Sequence, residues 1–188
     1  EFLRGIRVQR EPHADFDPYY ATHHFFGKGY WVWLIPIRSE DGREFISIGF
    51  TYRSEICGEI SMNFERFCEI LERDHPLLLP FVKSGEVFDE CRYYNYMYES
   101  TRYYDKSGWF LIGDAAYTFD PINSAGITAL SHQIPQVAAI IMKDMAGTLS
   151  AEYTSAMEAH AGTQLSLQDS WSHWYTHMDS PLRMSWTL

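Results

Sequence analysis

The stretch of this 188-residue chain best suited to chemistry is Trp109 to Leu130, WFLIGDAAYTFDPINSAGITAL. An apolar run ends in Gly113-Asp114-Ala115-Ala116, passes Asp120-Pro121, and reaches Ser124-Ala125-Gly126 at the head of an apolar helix. Gly113 permits a sharp exit from a strand. Asp114 at that exit can accept hydrogen bonds from a chain of hydroxyls. Ala115 and Ala116 are small, so a ligand can approach closely. Gly126 exposes backbone N–H groups at a helix N-terminus, where the donors and the helix dipole favour negative charge. The plainer reading is a strand–loop–helix joint capped by Ser124. No GxGxxG occurs in the sequence, so for a dinucleotide ligand the first phosphate-binding turn is expected elsewhere.

A second constellation is Trp31-Val32-Trp33-Leu34-Ile35-Pro36, following Gly29-Tyr30. Strand alternation puts Trp31, Trp33 and Ile35 on one face and Val32 and Leu34 on the other. Both faces are apolar, so the strand is expected to be buried on both sides. Other residues carry less. His23-His24, His75 and the His160, His173, His177 set are possible bases or ligands. His173 and His177 have a zinc-chelating spacing, but no acidic third ligand sits at a matching offset, and no metal is assigned. The tyrosines Tyr93, Tyr94, Tyr96, Tyr98, Tyr103 and Tyr104 fit either a substrate cavity or half-buried strand surface. Cys57, Cys68 and Cys91 form no CxxC pair and read as free thiols of a reducing compartment, packed as small apolar residues.

The elements that must position these residues follow from pattern. Tyr20–Phe26, Tyr30–Ile37 and Glu44–Tyr52 read as a three-stranded antiparallel meander, turned at Gly27-Lys28-Gly29 and Asp41-Gly42. Ser61 or Asn63 caps a helix carrying Phe64, Phe67, Ile70 and Leu71, which ends at Asp74-His75-Pro76. A further helical turn is expected over Leu77–Val82, strand over Glu86–Tyr98, and a short strand over Trp109–Ile112. A loop then runs to Ala125. A helix is expected from about Gly126 to Met145, with Ile127, Leu130, Ile134, Val137 and Ile141 on one face and a kink or an irregular turn at Pro135. A last helix is expected from Ala151 to Met178, with Trp171, Trp174, Tyr175 and Met178 as its apolar stripe.

Composition excludes some functions. The net charge is −10 and Lys and Arg form no stripe, which argues against nucleic acid. No apolar run approaches the length of a membrane span. Aromatics make up 16% of the chain, which suits a pocket for a planar ligand or an aromatic-rich core. The start, Glu1-Phe2-Leu3-Arg4-Gly5, has neither an initiator Met nor a signal-peptide pattern, and the chain is expected to begin mid-protein.

The Trp109–Leu130 stretch resembles the second flavin-binding motif of the FAD-dependent aromatic monooxygenase superfamily. Within that superfamily, W-x-W-x-I-P resembles the flavin-dependent halogenase family, as do Thr22-His23-His24 before it and Ile46-Ser47-Ile48-Gly49 after it. The resemblance runs from about Ala21 to Trp174. It implies an α+β fold: the antiparallel sheet of a substrate domain plus helices, with the C-terminal part of an FAD-binding Rossmann-like domain. Residues 1–105 would form the substrate-side domain, 106–150 the second FAD-contacting motif and its helix, and 151–188 a C-terminal helical segment.

The implied cofactor is FAD, held by Gly113, Asp114, Ala115, Pro121, Gly126 and Ile127. Asp114 would bond the ribityl chain, Pro121 would lie against the isoalloxazine ring, and the helix from Gly126 would point at the N1–C2 carbonyl. Asn123, Ser124 and Ala125 would form the halide loop. The family carries a Ser or Thr hydroxyl where this chain has Ala125, so only backbone donors remain there. The tryptophan-type enzymes carry an acid where this chain has Asn123, so the loop is closer to the phenol or carrier-tethered substrate branch. Trp31, Trp33 and Pro36 would separate flavin from substrate. The family's catalytic lysine has no match in this chain. The implied activity is that of an FAD-dependent oxidoreductase, incomplete in this piece, located in the cytoplasm. It would use reduced FAD from a separate flavin reductase, oxygen, and chloride or bromide to halogenate an electron-rich aromatic or carrier-tethered substrate. An FAD-dependent aromatic hydroxylase and a non-catalytic binding module on a flavoenzyme scaffold are the alternatives.

Overall fold

The structure is a computed structural model, and it describes residues 18–58, 60, 63–94, 97–105, 107–118, 120–151, 155, 158 and 173–184. Contacts divide these into two compact units, 18–89 with 173–184, and 90–158.

The first unit is built on an antiparallel meander of β1 (His23–Gly27), β2 (Tyr30–Arg38) and β3 (Glu44–Tyr52). Lys28-Gly29 is the two-residue loop between β1 and β2, with Gly27 paired to Tyr30. Between β2 and β3, Asp41 Oδ1 accepts from the Ser39 hydroxyl and from the Arg43 N–H at 3.2 Å, an Asx-type turn. The register of β2 against β3 runs unbroken from Tyr30↔Tyr52 to Arg38↔Glu44. Alternation therefore holds along the whole strand. Tyr30, Val32 and Leu34 face one side, where they pack with Ile70, Leu71, Leu78 and Val82 into the main core. Three of the largest fully buried side chains are leucines there, Leu34, Leu71 and Leu78, each contributing about 1.5–3 kcal/mol by burial.

The helices covering that face are α1 (Ser54–Cys57), α2 (Phe64–Asp74) and α3 (Leu79–Lys83). Asn63 caps α2, its side chain accepting from the Arg66 N–H at 2.7 Å. The chain leaves α2 at His75-Pro76, since the residue before a proline is driven out of helical geometry.

In the second unit β4 (Tyr104–Asp105) pairs with β5 (Trp109–Phe110). Gly113–Ala115 and Pro121–Asn123 are 3-10 turns, and α4 spans Ala125–Met145. Its buried residues are Ala129, Gln133, Val137 and Ile140. The first compact unit ends with a 3-10 turn, His173–Thr176, and the short helix α5 (Pro181–Met184).

Several expectations are corrected. Among the described residues of 86–98 there is no strand. That run reads as strand from its tyrosines, yet Val87, Phe88, Tyr93 and Tyr94 are exposed, so no packed surface holds it extended. The strand expected over Trp109–Ile112 is two residues long, Trp109–Phe110, paired with Tyr104 and Asp105. The helix expected from Ala151 does not continue to Met178: His173–Thr176 is a 3-10 turn. Of the two outcomes expected at Pro135, the irregular turn is excluded, since helix α4 runs through that residue. Of the residues expected on the apolar face of α4, Val137 is buried and Leu130 half-buried, whereas Ile127, Ile134 and Ile141 are exposed. Apolar residues surround this helix, and pattern alone does not fix which of them are buried. No helix among the described residues is long and apolar enough to cross a membrane.

Candidate functional site

The Gly113–Ala129 stretch lies wholly in the second unit. The chain leaves β5 extended at Ile112 (φ −134°, ψ 159°) and turns at Gly113, where φ is +56°. That left-handed conformation suits glycine, and a Cβ there would sit 3.1 Å from Leu130 Cδ1. The buried Gly113 N–H donates to Gln133 Oε1 at 2.8 Å, and Gln133 Nε2 donates to the Tyr117 hydroxyl at 2.8 Å. One buried amide from α4 thus pins the strand exit and Tyr117 together. Burial raises the pKa of that phenol, keeping it neutral.

The turn is laced on its other side to residues 98–100. Ser100 N–H donates to the Ala116 carbonyl at 2.8 Å, and Thr118 N–H to the Tyr98 carbonyl at 2.9 Å. The Ser100 hydroxyl donates to the Ala115 carbonyl at 3.2 Å, and the Tyr98 hydroxyl to the Asp114 carbonyl. The backbone of Asp114-Ala115-Ala116 is thereby fixed while the Asp114 side chain stays exposed. Its Oδ1 lies 3.8 Å from where a Cβ on Gly126 would be, so the carboxylate faces the first turn of α4.

The next joint is made by Asp120, which is buried and accepts from the Ile122 N–H at 3.0 Å. Pro121 is exposed, and its carbonyl accepts from the Ser124 N–H at 3.1 Å. Ser124 has φ 59° and ψ 30°, and among the described residues it alone of the non-glycines has positive φ. Ser124 stands at the N-cap position of α4, but its side chain makes no capping bond. The plainer reading, a joint capped by Ser124, therefore fails for a geometric reason: a capping serine needs extended backbone, and the left-handed turn redirects its hydroxyl. The amides of Ala125, Gly126 and Ile127 therefore head α4 without an intrahelical acceptor. Ile127 is 81% exposed.

The loop thus brings Gly113, Asp114, Ala115, Pro121, Ser124, Ala125, Gly126 and Ile127 into one joint, with α4 packed on both 3-10 turns. Asn123 is the last residue of the second 3-10 turn. Sequence reading missed Gln133 and Tyr117. The signal was available: Gln133 is a polar residue set among Ala129, Val137 and Ile140 on one helix face, and a buried amide there must find partners.

Trp31, Trp33 and Pro36 belong to the first unit. Trp31 is buried and its indole N–H donates to the Tyr175 hydroxyl at 2.8 Å. Its ring lies 5.2 Å from those of Trp33 and of His24. Desolvation lowers the His24 pKa, with neighbouring His23 adding to the shift. Trp33 lies across Gly49, its register partner, where a Cβ would fall 1.6 Å from the ring. Its indole N–H donates to Ser47 Oγ at 3.3 Å. Trp33 and Ile35 are half-buried, so this face is less covered than the one carrying Val32 and Leu34. Pro36, paired with Ile46, lies on the Val32 side and is not grouped with the two tryptophans.

The remaining candidates separate. Tyr93 and Tyr94 are exposed, and Tyr103 and Tyr104 half-buried. Tyr96, His160 and Trp171 lie outside the described residues. His75 sits at the end of α2 with Tyr30 and Asp74. The cysteines are free: Cys68 is buried, Cys57 half-buried, and Cys91 exposed rather than packed.

Over 116 residues, 61% of this chain and 19% of the relative, the sequence is 38% identical to a flavin-dependent halogenase of Dictyostelium discoideum. The chain is thus similar in sequence to part of one flavin-dependent halogenase. It spans less than a fifth of that halogenase's length. A crystal structure of a flavoprotein/dehydrogenase from Cytophaga hutchinsonii superposes with a TM-score of 0.58 and 19% identity, covering 80% of this chain and 36% of that one. That likeness is one of fold, and it agrees with the mixed α/β architecture and antiparallel sheet expected of a halogenase relative. No family model matches the chain.

Proposed function

We propose that this chain is part of an FAD-dependent oxidoreductase of the halogenase type, and that the joint from Gly113 to Ile127 holds the middle of the flavin. The observation that carries the reading is an exposed Asp114 carboxylate set against the first turn of a long helix whose amides lack a cap. These residues fit the group. A carboxylate accepts from ribityl hydroxyls, Ala115 leaves room for the chain, Pro121 offers a flat exposed surface to the ring, and Gly126 and Ile127 N–H groups suit its anionic edge. FAD, when bound and reduced, supplies the activation of oxygen, while the protein supplies binding and orientation.

In this reading a chloride or bromide ion sits at the loop of Asn123, Ser124 and Ala125. The Ser124 amide is already bonded to Pro121, so of the Ser124 and Ala125 amides the one left for the halide is that of Ala125. Trp31 and Trp33 form the wall between flavin and an electron-rich aromatic or carrier-tethered substrate, and a separate reductase delivers reduced FAD. The sheet of residues 1–105 serves the substrate side, residues 106–150 the flavin, and residues 151–188 form a C-terminal segment.

The test is product formation by the full-length protein with and without halide. Product that requires chloride or bromide supports the reading. Oxygenated product formed equally well without either would favour a hydroxylase. Asp114→Ala should weaken FAD binding about tenfold, the loss expected for a charged hydrogen-bond acceptor, with flavin fluorescence titration as the measurement. Unchanged binding would remove Asp114 from the site.

A further inference from the structure

We infer that Tyr175 is a positioning residue for the tryptophan wall, so that the C-terminal segment is a working part of that wall. The inference rests on the proposed role of Trp31. Trp31 and Tyr175 are 3% and 1% exposed, 144 positions apart, and joined by the indole N–H to hydroxyl bond of 2.8 Å. Two further contacts hold Tyr175. The Gly29 N–H, in the loop just before Tyr30-Trp31, donates to the Tyr175 carbonyl at 2.9 Å. The Arg53 guanidinium, just past the end of β3, lies 5.0 Å from the centre of the Tyr175 ring. Tyr175 is therefore held at its backbone, ring and hydroxyl by residues flanking the tryptophan strand.

An indole has a single donor and no acceptor. Within a buried site, its one hydrogen bond selects the ring orientation over the flipped one. Two other aromatic neighbours of Trp31, His24 and Trp33, meet it by ring contact at 5.2 Å and impose no such direction. Trp33 is itself seated over Gly49 and anchored to Ser47. Trp33 thus takes its orientation from the sheet, whereas Trp31 takes its orientation from the far end of the chain.

Tyr175→Phe removes the acceptor and keeps the ring. In the full-length protein with 15N-labelled tryptophan, assigned through Trp31→Phe, the Trp31 indole N–H signal should move, and its hydrogen exchange should quicken about tenfold or more. The other indole signals should stay in place. Product formed per reduced FAD consumed should fall several-fold at unchanged FAD affinity. Trp31→Phe combined with Tyr175→Phe should lose no more than Trp31→Phe alone, as expected of two residues acting through one bond. An unmoved Trp31 signal, or additive losses in the double variant, would overturn the inference. If Tyr175→Phe does not fold, exchange of the wild-type Trp31 N–H decides: a fast-exchanging indole overturns the bond. Wild-type protein that makes no halogenated product would sink the proposed function, while the indole signal still decides the Tyr175 contact.

Discussion

Gln133 shows how a single residue can set a site it does not touch. Its side chain accepts from Gly113 and donates to Tyr117, both at 2.8 Å, inside a closed environment. Gln133→Leu keeps the volume but leaves the Gly113 N–H buried without an acceptor. That substitution should cost about 1–3 kcal/mol of stability by urea denaturation, the range for orphaning a buried polar group. A loss under about 0.5 kcal/mol would mean that water reaches the Gly113 amide in place of the side chain. The same residue marks what was legible. Gly113, Asp114 and Gly126 announce themselves by type and spacing, because a glycine or acid at a strand exit has few other uses. Gln133 and Tyr175 do not, since their partners lie 20 and 144 positions away and only the folded chain reveals them. Ser124 was legible as the residue before the helix, but not as a left-handed one that leaves the cap open.

Among the elements, β2 and β3 could be read almost residue for residue, because period-two alternation and the Asp41-Gly42 turn agree with each other, whereas β1 starts at His23 rather than Tyr20, which lies in a 3-10 turn. Helix α4 could be located but not oriented: with isoleucines all round, its buried side is set by what it packs on, Phe110, Ile112 and Tyr117, rather than by its own pattern. The end of α2 carries a consequence for pH. Tyr30 donates to Asp74 Oδ2 at 2.6 Å, its hydroxyl lies 3.2 Å from His75 Nε2, and Arg73 holds Asp74 by two bonds. Burial lowers the His75 pKa below the ordinary 6.5, with the Asp74 charge opposing. The Arg73 hydrogen bonds lower that of Asp74 below 3.8, against a desolvation effect. For His75 the unfolded chain binds the proton more readily, so its contribution is fully present above pH 6.5 and declines as pH falls below that value. For Asp74 the contribution is present above pH 3.8 and is lost as pH falls through its lowered folded value. Melting temperature should therefore fall in two stages on acidification. His75→Gln should flatten the first, leaving the part due to His24, whose pKa is lowered likewise. A slope identical to wild type between pH 6.5 and 5 would show that His75 stays neutral in neither state preferentially.

For the whole molecule, the question is how much of a flavin this chain can hold. The joint at Gly113 to Ile127 offers contacts for the ribityl chain and one edge of the ring. The pyrophosphate and adenosine ask for a different device, a glycine-rich turn that lets the backbone approach two phosphates at a helix N-terminus. Gly27-Lys28-Gly29 begins such a pattern, but Val32 stands where the third glycine belongs, and the two glycines serve a hairpin instead. The 188-residue chain should therefore bind FAD with a Kd above about 10 μM, weaker than roughly −7 kcal/mol. The sharper form of the prediction is a ratio. If only the ribityl and ring contacts are made, the adenylate half adds nothing, and riboflavin should bind this chain within about threefold of FAD, a difference under about 1 kcal/mol. Fluorescence titration with both flavins measures it, and Asp114→Ala should weaken the two in parallel, since both carry the ribityl hydroxyls. FAD binding about a hundredfold tighter than riboflavin would place a pyrophosphate site within these residues. The backbone donors of Ala125, Gly126 and Ile127 would then be bonded to phosphate rather than to halide and ring, and the whole assignment of the loop would have to be reversed.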